Sequence, residues 1–157
     1  MTSPELDQWP PGDRKYRRSE VTALLGSGDA VWQPVAHEVL LWKVKTASGF
    51  VVNPTDPVSQ GDRVVVTAQL FGLTVVEPVE VVAVVQEPGR SGFSYRTMPG
   101  HPVDGEEAFI VHRRGDDVHL TIRSLTRAAS PQPWRVLFPL VLMAQRIVRR
   151  RYLRALR

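Results

Sequence analysis

The sequence predicts an α+β fold in which a curved antiparallel β-sheet wraps around a long C-terminal α-helix. Three observations predict it. One helix-period segment stands near residues 30–46. A run of Val- and Thr-rich segments separated by turn signals follows it. The last forty residues end in an apolar stripe backed by arginines. Strands gathered in one run, with helices before and after, argue for α+β rather than for alternating strands and helices. With 157 residues, 43% hydrophobic and 23% charged, the chain is ordinary globular material and can bury one core.

Residues 1–15 hold Pro4, Pro10, Pro11 and Gly12 among polar groups and read as a flexible leader, with a single domain over residues 16–157. The N-terminus has no basic, apolar targeting pattern, so the expected location is the cytoplasm. Tyr16 to Leu25 reads as extended. Ser27 and Asp29 are cap chemistry for a helix from about Ala30 to Thr46. Trp32, Val35, Val39 and Trp42 fall on one face of it. Pro34 fits only near a first turn, which moves the expected start toward Val31.

Strand signals come next. Phe50 to Val52 is short, and Arg63 to Phe71 is rich in Val and Thr. Thr74 to Glu87 is another β-branched run whose Pro78 suggests a bulge, an edge or two pieces. Pro88 to Gly92 reads as a turn, and Phe93 to Thr97 alternates. Pro99 to Gly105 reads as a loop and Glu106 to His112 as a strand. Gly115 to Asp117 reads as a hairpin turn, after which Val118, Leu120, Ile122 and Ser124 share one face. Ser130-Pro131 opens the last helix. Val136 to Ala144 is apolar but far shorter than the roughly 20 residues that span a bilayer, and Pro139 predicts a kink or break in it. Val141, Ala144, Val148, Tyr152 and Ala155 form a stripe opposite Arg146, Arg150, Arg154 and Arg157. This order fits the helix-grip architecture.

Charge is unevenly placed. From Val118 onward there are nine arginines and no acid, while the other 117 residues hold eleven basic against sixteen acidic groups, a net of −5. A basic end on an acidic body marks either a solvated face or contact with nucleic acid or an anionic surface. The chain has no cysteine, which excludes disulfides, thiol nucleophiles and thiolate metal sites.

Residues 86–109 read Q-E-P-G-R-S-G-F-S-Y-R-T-M-P-G-H-P-V-D-G-E-E-A-F. This segment strongly resembles the uncharacterised family called DUF1990, or UPF0548, whose motif reads D-E-P-x-R-x-G-F-x-Y-G-T-L-x-G-H-x-x-x-G-E-E-x-F. The matching residues include Glu87, Pro88, Arg90, Gly92, Phe93, Tyr95, Thr97, Gly100, His101, Gly105, Glu106, Glu107 and Phe109. Gly26, Gly28, Trp42 and Tyr152-Leu153 match outside it, and Ser124 to Arg127 is similar to its S-F-S-R-P segment. Arg96 departs from the family's glycine, and Ala128 stands where the family has proline. The resemblance covers about residues 16–157. It implies a fold related to the START and Bet v 1 (SRPBCC) helix-grip proteins, and it implies no known activity.

Residue by residue, no catalytic or metal set is expected, and no cofactor. The histidines His37, His101, His112 and His119 lack the helical zinc-protease spacing. His112 and His119 face each other across the predicted hairpin, which gives two ligands without a third. Glu106 and Glu107 are neighbours on a strand and so point to opposite faces. If Glu107 shares the face of Phe109 and Val111, it is an acid beside apolar neighbours that calls for a partner, with Tyr95, His101 and Arg96 as candidates, in either a structural hydrogen-bond network that locks the loop or a ligand site. The ligand-binding candidates are therefore Trp42, Tyr95, Thr97, His101, Glu107, Ser124 and Trp134. Such a set suits a small hydrophobic molecule held between sheet and helix by a few polar contacts. The competing class is weak, salt-dependent polyanion contact through Arg146, Arg149, Arg150, Arg154 and Arg157. An enzyme of the cyclase or hydratase kind on the same fold ranks third.

Overall fold

The computed structural model describes residues 1–53, 56–70, 72–101, 103–128, 143 and 145–157. Strand β1 (Arg17–Ser27) leads to helix α1 (Asp29–Glu38), a 3-10 turn (Val39–Leu41) and the short α2 (Lys43–Thr46). Six strands follow: β2 (Val51–Asn53), β3 (Arg63–Leu70), β4 (Leu73–Glu87), β5 (Arg90–Thr97), β6 (Val103–Arg114) and β7 (Asp117–Ala128). A helix over residues 145–152, α3, closes the described chain. The seven strands form one curved antiparallel sheet in the order β1-β7-β6-β5-β4-β3-β2. Register shifts at Leu24/Gly26 and Val81/Ala83 are bulges of the kind that bend and twist a sheet.

Alternation places Val79, Val81, Phe93, Tyr95, Phe109, Leu120 and Ile122 on the inner face, where they are buried with Trp32, Val35, Val39 and Trp42. That helical face is thus used as its spacing predicts, but the helix is not continuous. It breaks at Trp42, a non-glycine residue at φ 59°. The break keeps the Trp42 ring in the core, 4.7 Å from Phe93. The helix also begins at Asp29, with Pro34 inside it. Its cap is not a side chain: the Gly28 carbonyl accepts from the Val31 and Trp32 N–H groups, while Ser27 and Asp29 turn to Asp117 and Arg113.

The predicted turn over Pro88–Gly92 contracts to two residues, and β5 starts at Arg90. Gly92 is a strand glycine chosen for space, since a Cβ there would lie 2.3 Å from the Phe109 carbonyl. At the C-terminus, Ser130-Pro131, Trp134, Pro139 and the apolar run from Val136 to Ala144 lie outside the described residues. A long gripped helix is therefore not what the described chain contains. There α3 is short, and Val148, Tyr152, Ala155 and Leu156 rest on the core.

The outer face of the sheet carries residues 1–9. Arg123, 2% exposed, donates to the carbonyls of Ser3 (2.7 Å), Asp7 (2.9 Å) and Thr2 (3.3 Å), and pairs with Glu20. Arg90 donates to the carbonyls of Pro4 and Leu6. Glu106 accepts from the Thr2 N–H and hydroxyl. Main-chain groups of the segment read as a leader are thus bonded to the side chains of three strand residues of the sheet.

Candidate functional site

Strand register assembles the site. Tyr95 on β5 pairs with Glu107 on β6, and Glu107 pairs with Ser124 on β7. The three side chains therefore stand in one row on the inner face. Glu77 lies one strand further on, on β4, where the alternation Val75, Glu77, Val79, Val81 turns it inward among buried neighbours. Lys45 enters from α2, and Tyr152 from α3. His101 is set by a backbone substitution. Pro78 accepts from the Met98 N–H (2.9 Å) but has no N–H to return, and the Met98 carbonyl accepts from the His101 N–H instead (3.2 Å). Gly100, at φ 99°, permits that turn.

Within the site, Lys45 Nζ lies 3.7 Å from Glu77 Oε2 and 3.7 Å from Glu107 Oε1. The Tyr95 hydroxyl donates to Glu107 Oε1, and the Ser124 hydroxyl donates to Oε2 at 3.2 Å. His101 Nδ1 accepts from the Val103 N–H (3.1 Å), which leaves the proton of the neutral ring on Nε2, 3.7 Å from Glu77 Oε2. Burial, reinforced by the Lys45 charge, pushes the His101 pKa down to about 3, so the ring is neutral at pH 7. Burial raises Glu77, against the pull of Lys45. Tyr95 and Tyr152 are held well above the usual phenol range, first by burial and then by Glu107. The Lys45 ammonium also lies 4.4 Å from the Phe50 ring centroid and 5.2 Å from that of Tyr152, a cation–π environment for a desolvated charge. These groups border a cavity of about 60 Å³ whose wall also includes Phe50, Thr97, Val103, Val148 and Arg149.

The expected ligand contacts divide in two. Tyr95, Thr97, His101 and Glu107 line the cavity. Ser124 reaches it through Glu107, and Trp42 stands behind Tyr95 at 5.4 Å between centroids. Trp134 lies outside the described residues. His101 turns to Glu77 rather than to Glu107, and Arg96 points outward to Glu80. Sequence reasoning missed Lys45 and Glu77. Both carried a signal: Lys45 follows Trp42 by three residues on the apolar helical stripe, and Glu77 interrupts the inward positions of a valine strand. Among the arginines, Arg149 donates to Ser19 (2.9 Å) and Arg157 to the Leu24 carbonyl (3.3 Å), whereas Arg146, Arg150 and Arg154 are exposed. His112 and His119 stack at 5.5 Å, and among the described residues no group of three His, Asp or Glu side chains is arranged to hold a metal. No helix among them is long and apolar enough to cross a membrane.

A family model described as "Domain of unknown function (DUF1990)" matches residues 2–155. The chain belongs to the DUF1990 family. The match takes in the N-terminal segment on the outer face as well as the inner cluster. A "UPF0548 protein" of Deinococcus radiodurans is 35% identical to this DUF1990 chain over 146 residues, covering 84% of the chain and 72% of the relative. Among solved structures, the hypothetical protein jhp0584 of Helicobacter pylori aligns with TM-score 0.60 at 19% identity, over 99% of this chain and 96% of that one. A START superfamily protein of Mycobacterium smegmatis aligns with TM-score 0.52 at 11% identity, over 89% and 99%. At these identities the likeness is one of fold, so the DUF1990 chain has a START-like fold.

Proposed function

We propose that this protein is a non-catalytic binder of a small, mainly hydrophobic molecule, held on the inner face of the sheet beneath the C-terminal helix within one domain over residues 16–157. The observation that carries the reading is the Lys45–Glu77–Glu107 group, buried with Tyr95 and His101 at the wall of a cavity. A buried ion pair is weak as a stabilising device, since apolar residues of the same volume usually do as well or better. A cation between two acids at the edge of empty space, with apolar walls around it, suits a site that orients a ligand. The small volume of the cavity, about 60 Å³, confines the buried part of that ligand to its polar end and the first few carbons. The test is to denature protein purified without added ligand and identify released small molecules by mass spectrometry, alongside Glu107→Gln. One stoichiometric compound that the native protein retains and the folded variant loses supports the reading. Equal retention by both, or no specific binding of any small molecule, overturns it.

A second reading rests on the exposed Arg146, Arg150 and Arg154, in a stretch of chain without acids. It predicts weak binding to anionic polymers that weakens with salt. Changing these three arginines to alanine is expected to lower the salt needed to elute the protein from heparin, and unchanged retention would dismiss it.

A further inference from the structure

We infer that the ligand ends in a carboxylate, and that Arg149 on α3, with Gln145 one turn before it, is the residue that receives it. This deepens the ligand-binding reading and rests on it. The helix over residues 145–152 turns one face to the cavity, where Gln145, Val148, Arg149 and Tyr152 all border it. That spacing is one helical stripe. A stripe that only closed an apolar core would be apolar throughout. Here two of its four members carry polar ends, Gln145 and Arg149. Arg146, Arg150 and Arg154 are exposed, so Arg149 is set apart from the basic face that they form.

A guanidinium has five N–H donors. Among the described residues, the one hydrogen bond of Arg149 runs from Nη1 to the Ser19 hydroxyl on β1, at 2.9 Å. Ser19 holds the group at the cavity wall but brings no charge to it. Every Asp and Glu of the chain lies among the described residues, and none is ion-paired with Arg149. Lys45 differs, for its Nζ stands 3.7 Å from both Glu77 and Glu107. Within the cavity the lysine thus has its counter-ions and the arginine has none. Gln145 adds a second unmet bond. Among the described residues its Oε1 is buried without a partner, which is rare for a buried polar atom.

A carboxylate meets both needs. Its two oxygens accept from the Arg149 fork. A half-turn of the Gln145 amide directs an N–H, rather than the oxygen, at the same group. The first carbons of the ligand then lie against Phe50, Val148 and Tyr152 of the same wall. A guanidinium does not lose its proton in a protein, so this pairing holds whichever of Glu77 and Glu107 carries a proton. Lys45, placed between those two acids, offsets their repulsion on the sheet side.

The test compares hexanoate with hexanamide, which match in shape and differ in charge. Each is titrated into the native protein at pH 7 and followed by the NMR shifts of inner-face residues. Hexanoate is expected to bind about fivefold tighter or more. Arg149→Gln is expected to bring hexanoate down to the affinity of hexanamide, with hexanamide itself changed by less than about twofold. A second arm needs no variant. Raising sodium chloride from about 0.05 to 0.5 M is expected to weaken hexanoate at least about twofold and to leave hexanamide unchanged. A preference for hexanoate as large in Arg149→Gln as in the native protein, or hexanoate binding indifferent to salt, overturns the inference. Equal binding of the two probes by the native protein leaves the ligand-binding reading intact and removes only the carboxylate assignment. Absence of binding by either probe removes both.

Discussion

Glu107 has more polar partners than any other group at the cavity wall, and its two oxygens play different parts. Glu107→Ala strips the acceptor from Tyr95, Ser124 and Lys45 at once, and is expected to cost about 1–3 kcal/mol in urea unfolding. Glu107→Gln keeps the shape and much of the hydrogen bonding, so its loss of stability is expected to be smaller. Equal losses would show that charge rather than bonding matters there. His101 gives a pH signature. Its pKa is about 3 in the folded chain against 6.5 for a free histidine. Between those values the unfolded chain binds the extra proton, so the folded state loses stability as pH falls through that window, by ~1.4 kcal/mol per pH unit. His101→Asn preserves an acceptor for the Val103 N–H and removes the titration. Its stability is expected to depend less steeply on pH between about 4 and 6, and curves of identical slope would refute the assignment. At this scale the sequence was informative about Tyr95, His101 and Glu107, which sit in one polar and glycine-rich segment. Its signal for Lys45 and Glu77 was weaker, a single charged residue on an apolar helical stripe and one among the inward positions of a valine strand, and neither shows which partner the charge meets.

Elements are shaped by backbone features as much as by side chains. Gly105 lies inside β6, where a Cβ would fall 1.8 Å from the Leu125 carbonyl of β7. Gly105→Ala must force the two strands apart and is expected to cost about 3 kcal/mol or more, or to abolish folding. A stability within about 0.5 kcal/mol of native in chemical denaturation would contradict the close approach. The sequence placed Gly105 at the end of a loop over Pro99 to Gly105, but it is a residue of β6, and of the two glycines it is Gly100 that takes the positive φ of the turn. Pro78 is the second such feature. Pro78→Val restores an N–H that competes with that of His101 for the Met98 carbonyl. The expected result is faster hydrogen exchange at His101 and a changed His101 ring shift, with the strand otherwise intact. Strand positions were legible because alternation of apolar and polar residues is a local property. The break at Trp42 was not, because the 3.6-residue periodicity runs through it and only contact with Phe93 and Tyr95 decides the turn.

The whole molecule is held from both faces of the sheet. Inside, α1 and the C-terminal segment cover the aromatic core. Outside, residues 1–9 lie across β5, β6 and β7, tied to Arg90, Glu106 and Arg123. Glu106 and Glu107 are sequence neighbours, as are Arg123 and Ser124, so the outer tie and the inner polar row share the same stretches of β6 and β7. Arg123→Met removes a buried charge together with donors to three carbonyls, and is expected to cost about 2–4 kcal/mol. It is also expected to make the N-terminal residues a site of early proteolysis. A variant as protease-resistant as the native chain would show that the tie is dispensable.

The sequence by itself determined the α+β class, the antiparallel strand run with most of its turns, the apolar helical face and the family. Each of these is written in local periodicity or in a contiguous motif. The tertiary structure decided the rest: the path of residues 1–9, the capping of α1 by main chain alone, and the meeting of Lys45, Glu77, His101 and Glu107. Those four residues come from α2, β4, the turn between β5 and β6, and β6, and only the folding of the sheet brings their polar groups within a few ångströms. A charge acquires partners through space and not along the chain, and so the site became readable only once the sheet was folded.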